Sequence, residues 1–241
     1  MKPKVLLLGV FLSSAALAEG EVPCSDASPP TIGCPDLVVD ASTMRPFVQQ
    51  RTFGPTSCSV IEGETLPGSR TLLRFTFTTP NLGAGDLVVG SPEDHPEWFE
   101  LSTCHGHFHF REYADYRLWT LEGFARWLLL RAENPGVPSP ELLREHPDLL
   151  SELVTGEKRG FCVIDVRRYL PTAPIYQSCS GNQGIIVGWA DEYHWSLDGQ
   201  WVDVTDVPSG DYVLEAEVNA ERLYVESEYA NNSAAVRVRL P

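Results

Sequence analysis

Basic residues are scarce in this chain. Its 18 lysines and arginines face 33 aspartates and glutamates, a formal net charge of −15. A surface of that sign repels phosphate, so nucleic acid is excluded as a partner on bulk electrostatics. The same field attracts cations, whether metal ions or amines. Long apolar runs are lacking too: beyond residue 18 no segment approaches the roughly 20 apolar residues that a membrane-spanning helix needs. None of the six cysteines stands in a C-x-x-C spacing, which argues against a thiolate metal site or a thioredoxin-like redox pair. There is no internal repeat and no low-complexity tract, and 241 residues suit one sizeable domain.

What is present begins with an export signature. Lys2 and Lys4 make a basic start, Val5 to Leu17 an apolar run, and Ala16-Leu17-Ala18 a small-x-small cleavage pattern. This predicts a secretory signal over residues 1–18, a single domain over 19–241, and a secreted or periplasmic protein that does not span a membrane. Cys24, Cys34, Cys58, Cys104, Cys162 and Cys179 all survive that cleavage. An even number in an exported chain predicts three disulfides, with their pairing open.

The chain reads as mainly β. Residues 19–31 form an irregular Pro/Ser/Asp-rich arm, and DLVVD (36–40) is a short strand candidate. In RTLLRFTFTTPNLGAGDLVVG (70–90), Leu73, Phe75 and Phe77 alternate with polar neighbours before a glycine-rich turn, which predicts a β-hairpin. Tyr113, Tyr116 and Leu118 suggest another strand. Residues 121–156 change to helical spacing. There Ser139 suits an N-cap, Pro140 a first helical position, and Pro147 breaks the pattern into two short helices or one kinked one. Strand patterns return at 160–170, 199–207, 211–219 and 234–240. The fold class is therefore a mainly β, antiparallel, sandwich-like domain with a short helical insertion at about 121–156.

The chemistry concentrates in STCHGHFHFREY (102–113). His105, His107 and His109 alternate, and alternation along a strand puts side chains on one face. A flat strand separates the Cα atoms of His105 and His109 by about 13 Å, at a rise of roughly 3.3 Å per residue. A bulge, twist or departure from extended backbone near Gly106 must shorten that span before three imidazoles can share one ion. Imidazole nitrogens suit copper, zinc, iron and nickel, and copper(II) competes best by affinity.

Three separated stretches then resemble the lysyl oxidase family, secreted copper amine oxidases. CHGHFHFREYADYRL is similar to the family's Cys-His-x-His-x-His copper segment and the strand after it. GEKRGFC (156–162) is similar to its Lys-x-x-Phe-Cys segment. DEYHWSLDGQWVDVTDVPSGDYVLEAEVN (191–219) resembles its Asp-x-Tyr segment, its Gln-Trp-(Ile/Val)-Asp-(Ile/Val)-Thr-Asp-Val block and the following strand. The resemblance covers most of the chain beyond residue 18 and implies the lysyl oxidase catalytic fold.

It also implies roles. His105, His107 and His109 become copper(II) ligands, and Lys158 and Tyr193 the precursors of a lysine tyrosylquinone cofactor. The implied reaction oxidises a primary amine, peptidyl lysine or a small cationic amine, to an aldehyde, with O2 reduced to hydrogen peroxide and ammonia released. Asp191 and Asp115 are the candidate bases, Asp115 standing where family members carry a histidine after the copper segment. PDLVVD and VESEYANN (225–232) resemble segments that meet at a calcium site, so Asp36, Glu226, Glu228, Asn231 and Asn232 offer hard oxygen ligands. The resemblance pairs Cys58 with Cys104 and Cys162 with Cys179, leaving Cys24 for Cys34. EWFELST replaces the animal members' Trp-x-Trp-His lead-in, and the 121–156 insertion has no counterpart there, departures that fit a simpler member, such as a bacterial one. Two rivals remain open: a secreted, non-enzymatic copper- or zinc-binding module of the same fold, and a zinc hydrolase, which lacks an H-E-x-x-H motif.

Overall fold

A computed structural model describes Cys24 and residues 33–158 and 160–241. The expected signal segment and nearly all of the expected irregular arm lie outside those residues. In chain order the elements are β1 (Phe47–Phe53), α1 (Cys58–Ile61), β2 (Gly68–Arg74), β3 (Phe77–Pro80), β4 (Leu87–Gly90), β5 (Phe99–Ser102), β6 (His107–Phe110) and β7 (Ala114–Thr120). Then come α2 (Leu121–Glu133), α3 (Ser139–Glu145), a 3-10 turn (Pro147–Glu152) and β8 (Leu153–Thr155). The rest is β9 (Arg167–Arg168), β10 (Gln183–Ile185), β11 (Trp189–Tyr193), β12 (Trp201–Asp203), β13 (Gly210–Val218) and β14 (Ser233–Leu240). The fold is mainly β and every strand pair among the described residues is antiparallel.

The largest sheet runs β14-β13-β7-β8, and both faces of its centre are covered. From β7 and β13, Tyr116, Leu118, Leu214, Ala216 and Val218 enter the main core. The alternate residues Trp119 and Val213 pack beneath the helices with Trp127, Leu142 and Leu149. That is why these strands read as nearly continuous apolar runs, as strands covered on both sides do. The insertion between β7 and β8 exists to make that cover. Thr120 caps α2 by accepting the Gly123 N–H at 3.0 Å, and Trp127 stacks on Trp119 with ring centroids 5.5 Å apart. Pro147 separates α3 from the 3-10 turn, as its missing N–H and fixed φ require.

Four local expectations are corrected. The stretch 70–90 is no hairpin: β2 pairs with β1 and β12, β3 with β11, and β4 with β10. A Cβ on Gly85 would stand 1.7 Å from the Gly33 carbonyl oxygen, so the glycine turn is pressed against the 33–36 backbone. Asn81 fixes it there, donating to the carbonyls of Gly85 and Ile185 at 2.9 Å each. Ser139 does not cap α3; its hydroxyl donates instead to buried Glu217 at 2.8 Å. The expected strand at 160–170 is mostly irregular and reduces to β9, and 36–40 contributes only the single bridge Leu37↔Asn81.

The cysteines pair Cys24–Cys34, Cys58–Cys104 and Cys162–Cys179, the pairs the family resemblance implies. The second ties α1 to the histidine segment, and the third holds the segment behind Lys158.

Candidate metal and cofactor site

The three histidines do not occupy one flat strand. β5 and β6 form a hairpin pairing Ser102 with His107 and Glu100 with His109, and His105 sits in the turn between them. Gly106 has φ +72°, a left-handed conformation that glycine adopts without steric cost. The turn closes with the Gly106 N–H on the Ser102 carbonyl at 2.8 Å, while the Ser102 hydroxyl accepts the His105 N–H at 2.9 Å. The backbone therefore folds His105 back over the strand. Ring centroids stand 4.9 Å apart for His107–His109, 5.4 Å for His105–His109 and 5.9 Å for His105–His107.

The Nε2 atoms of His107 and His109 are 3.2 Å apart. His109 is 5% exposed, and burial, with His107 beside it, pushes its pKa down to about 4. At neutral pH its ring is uncharged, so a nitrogen lone pair is free for a Lewis acid. Three convergent imidazoles, one already neutral, fit a borderline-soft ion such as copper or zinc.

Lys158 follows β8 and is half-buried. Its Nζ donates to the Asp198 carbonyl at 2.8 Å and stands 5.5 Å from the centroid of the Tyr193 ring and 5.4 Å from that of Phe161. Burial lowers the Lys158 pKa against the pull of Glu64, Asp191, Asp198 and Glu62. Tyr193 ends β11 opposite Phe77, 4% exposed, walled by Phe161, Tyr113 and Phe77. Its hydroxyl donates to the Cys162 carbonyl at 3.1 Å. The tyrosine and lysine picked from segments 35 residues apart thus share one aromatic box.

Two residues earlier on the same strand face, Asp191 is 1% exposed and its Oδ2 has no hydrogen-bond partner. Burial raises its pKa well above the usual carboxylate range, opposed by Tyr193, the N–H groups of Glu192 and Ile164, and Lys158. Asp115 differs. It lies on the helix-covered face of β7 with buried Arg117, which holds its carboxylate in an ion pair. It nevertheless lines, with Lys158, Phe161, Glu100, Glu112 and Glu157, one cavity of about 220 Å3.

The oxygen-rich set partly assembles. Asn231 Nδ2 donates to Asp36 at 2.9 Å, and Glu226 accepts the Leu37 N–H at 2.6 Å and the side-chain amides of Asn219 and Asn232 at 2.8 and 2.7 Å. Both Glu226 oxygens are therefore occupied by N–H donors. Glu228 turns away and accepts the N–H groups of Tyr229 and Ala230. Hydrogen bonds to Glu226 hold this cluster together, while the buried Oδ1 atoms of Asn231 and Asn232 have no hydrogen-bond partner; no calcium-dependent step is assigned.

The histidine pattern pointed to neither Glu62 nor Gly160. One oxygen of Glu62 lies within 4.8 Å of a nitrogen of His105 and of His109. A Cβ on Gly160 would come within 3.0 Å of the His109 ring. The pairing of Cys58 with Cys104 is the one signal that could have drawn Glu62 toward His105.

The family model for lysyl oxidase matches residues 146–240, which include Lys158, Asp191 and Tyr193. Chicken lysyl oxidase homolog 2 is 28% identical over 224 residues, covering 90% of this chain and 25% of its own length. Chicken protein-lysine 6-oxidase is 29% identical, covering 86% and 46%, and human lysyl oxidase homolog 1 is 27% identical, covering 83% and 32%. The chain thus spans between a quarter and under half the length of these relatives. No described helix is long and apolar enough to cross a membrane. Similarity to lysyl oxidases runs through more than four fifths of the residues, and the family model lies over the lysine and tyrosine segments.

Proposed function

We propose that this protein is an exported copper-dependent amine oxidase that converts a primary amine to an aldehyde, releasing ammonia and hydrogen peroxide. The observation carrying this reading is the approach of the Lys158 Nζ to the Tyr193 ring, 5.5 Å from its centroid, inside one aromatic box. A crosslink between those two side chains needs little backbone movement. His105, His107 and His109 would hold copper(II). The metal supplies oxidation of the tyrosine ring, and the resulting lysine tyrosylquinone supplies an electrophilic carbonyl and an acceptor for two electrons.

The chain's own residues set the remaining conditions. Burial favours the uncharged amine of Lys158, the form that can act as a nucleophile. Phe161, Tyr113 and Phe77 exclude water from the ring of Tyr193 and fix its plane. Asp191 takes the proton from the α-carbon of the substrate, since a base whose pKa is raised by burial removes it with a stronger driving force. Asp115, engaged by Arg117, is assigned a lesser role. The carboxylates of Glu100, Glu112 and Glu157 around the cavity beside Lys158 favour cationic amines, peptidyl lysine or small free amines. The three disulfides support an oxidising compartment outside the cytosol.

The test is direct. Copper-loaded full-length protein is expected to develop a visible quinone band, a Lys158–Tyr193 crosslinked peptide by mass spectrometry, and amine-dependent peroxide. Lys158→Arg and Tyr193→Phe are each expected to abolish all three. Copper binding with the two side chains unlinked and no peroxide would establish the non-enzymatic metal-binding module instead.

A further inference from the structure

The histidine centre has a carboxylate beside it. Glu62 follows α1 directly, and the Cys58–Cys104 disulfide joins the first residue of that helix to the residue before His105. The Ser102 hydroxyl donates to Glu62 Oε1, which fixes the carboxylate against the histidine turn. The other oxygen, Oε2, lies 3.4 Å from His105 Nδ1. That oxygen is shielded from solvent and has no hydrogen-bond partner. An acceptor left so is costly, the more when it carries charge. The arrangement makes sense when a cation sits where the imidazoles converge. One Glu62 oxygen and one nitrogen from each of His105 and His109 already lie within 4.8 Å of one another, and His109 is 3.2 Å from His107.

We propose that Glu62 is an oxygen ligand of the ion held by His105, His107 and His109, making the centre three nitrogens and one carboxylate. This rests on the metal reading of the three histidines. A carboxylate cancels one charge of a divalent cation that three neutral imidazoles leave uncompensated, and so tightens binding. A cavity of about 320 Å3, lined by Ile61, Glu62, Leu101, Ser102 and His109, supplies an entry path and leaves room for a further ligand on the open side.

The experiment is a copper(II) titration of the purified full chain, read by competition with a chelator and by electron paramagnetic resonance. Glu62→Gln is expected to weaken copper binding at least about tenfold and to alter the copper spectrum. Glu62→Asp, which keeps the charge but draws the oxygen back, is expected to fall between the two. The same comparison in a His105→Ala background separates a ligand from a residue that only orients His105. A ligand still weakens binding there when changed to Gln, whereas a positioning residue has no further effect. Circular dichroism and thermal melts check that each variant is folded. Equal affinity of Glu62→Gln and the unaltered protein, or an effect that vanishes in the His105→Ala background, overturns the proposal. Failure of the unaltered protein to bind copper overturns the metal reading itself, and this proposal with it.

Discussion

Phe110 donates its backbone N–H to the carbonyl of Phe161 at 2.7 Å. This single bridge lies between the histidine hairpin and the lysine segment, and it sets their separation. One residue before Phe161, Gly160 is laid against the His109 ring; two residues before that, Lys158 reaches Tyr193. The histidine segment and the Lys158–Tyr193 pair are therefore positioned by one backbone register, not by independent loops.

Gly160 is the tightest point of that register. A Cβ there would meet His109 Cε1 at 3.0 Å and its two ring nitrogens at 3.3 and 3.4 Å. Gly160→Ala is expected to push the imidazole aside by a few tenths of an ångström and weaken copper binding about tenfold, a loss typical of disturbing the support of a metal ligand. The fold should survive, because no positive φ is needed at this glycine. Isothermal titration with copper and a thermal melt together check this. Unchanged affinity would mean the ring has room to move.

The parts of the site legible in the sequence are those where several chemically specific residues stand close along the chain. His105, His107 and His109 stand out by type and spacing and do converge, and the block around Gln200-Trp201-Val202-Asp203 carries the pattern that resembles the family's. Their geometry was less legible: alternation suggested one strand, whereas Gly106 turns the chain and moves His105 into a loop. Glu62 lies 43 residues before His105, in a segment where nothing distinguishes it from Glu64. Only tertiary structure makes it a neighbour. The stretch 70–90 failed for a related reason. Alternation looks the same in a hairpin and in strands that pair elsewhere, and Gly85 against Gly33 decided between them.

Asp191 and Asp115 make opposite predictions as bases. Asp191→Asn is expected to lower kcat by a factor of about a hundred to ten thousand, the range for losing a general base. Asp115→Asn should leave kcat within a few fold, since its carboxylate is already engaged by Arg117. Initial rates of peroxide release, normalised to the quinone absorbance of each preparation, separate loss of turnover from loss of cofactor formation. A larger loss for Asp115→Asn would reverse the assignment.

Beneath the helices, Arg117 is an anchor of a different kind. Its guanidinium is buried and pairs with Asp115, Glu217 and Glu215, while Trp119 and Trp127 both donate to Glu215. Arg117→Ala leaves the two buried carboxylates, Glu215 and Glu217, with only the partly exposed Arg131 as a cationic partner, and is expected to cost about 3 kcal/mol in urea unfolding. The exposed pair Arg239–Asp211, with side chains 77% and 57% accessible, provides the contrast. Arg239→Ala should cost no more than about 0.5 kcal/mol. Similar losses at the two sites would mean burial is not what gives the Arg117 network its weight.

Glu226 should make stability depend on pH. Burial, opposed by its hydrogen bonds from Leu37, Asn219 and Asn232, raises its pKa from 4.5 to about 7. Below 4.5 the carboxyl is protonated in folded and unfolded chains alike, and the folded state keeps the whole benefit. Between 4.5 and 7 the unfolded chain gives up its proton while the folded one retains it, so the unfolded state gains. Stability is therefore lost as pH rises through this window, by up to about 3 kcal/mol at roughly 1.4 kcal/mol per tenfold difference in proton affinity. Urea unfolding at pH 5, 6, 7 and 8 with a chelator present measures the slope. Glu226→Gln shifts the absolute stability through its altered hydrogen bonding, but it removes the titrating group, so its decline from pH 5 to pH 8 should be shallower than in the unaltered protein. Parallel curves would show that Glu226 is already ionised at pH 5, with its three N–H donors outweighing the cost of burial.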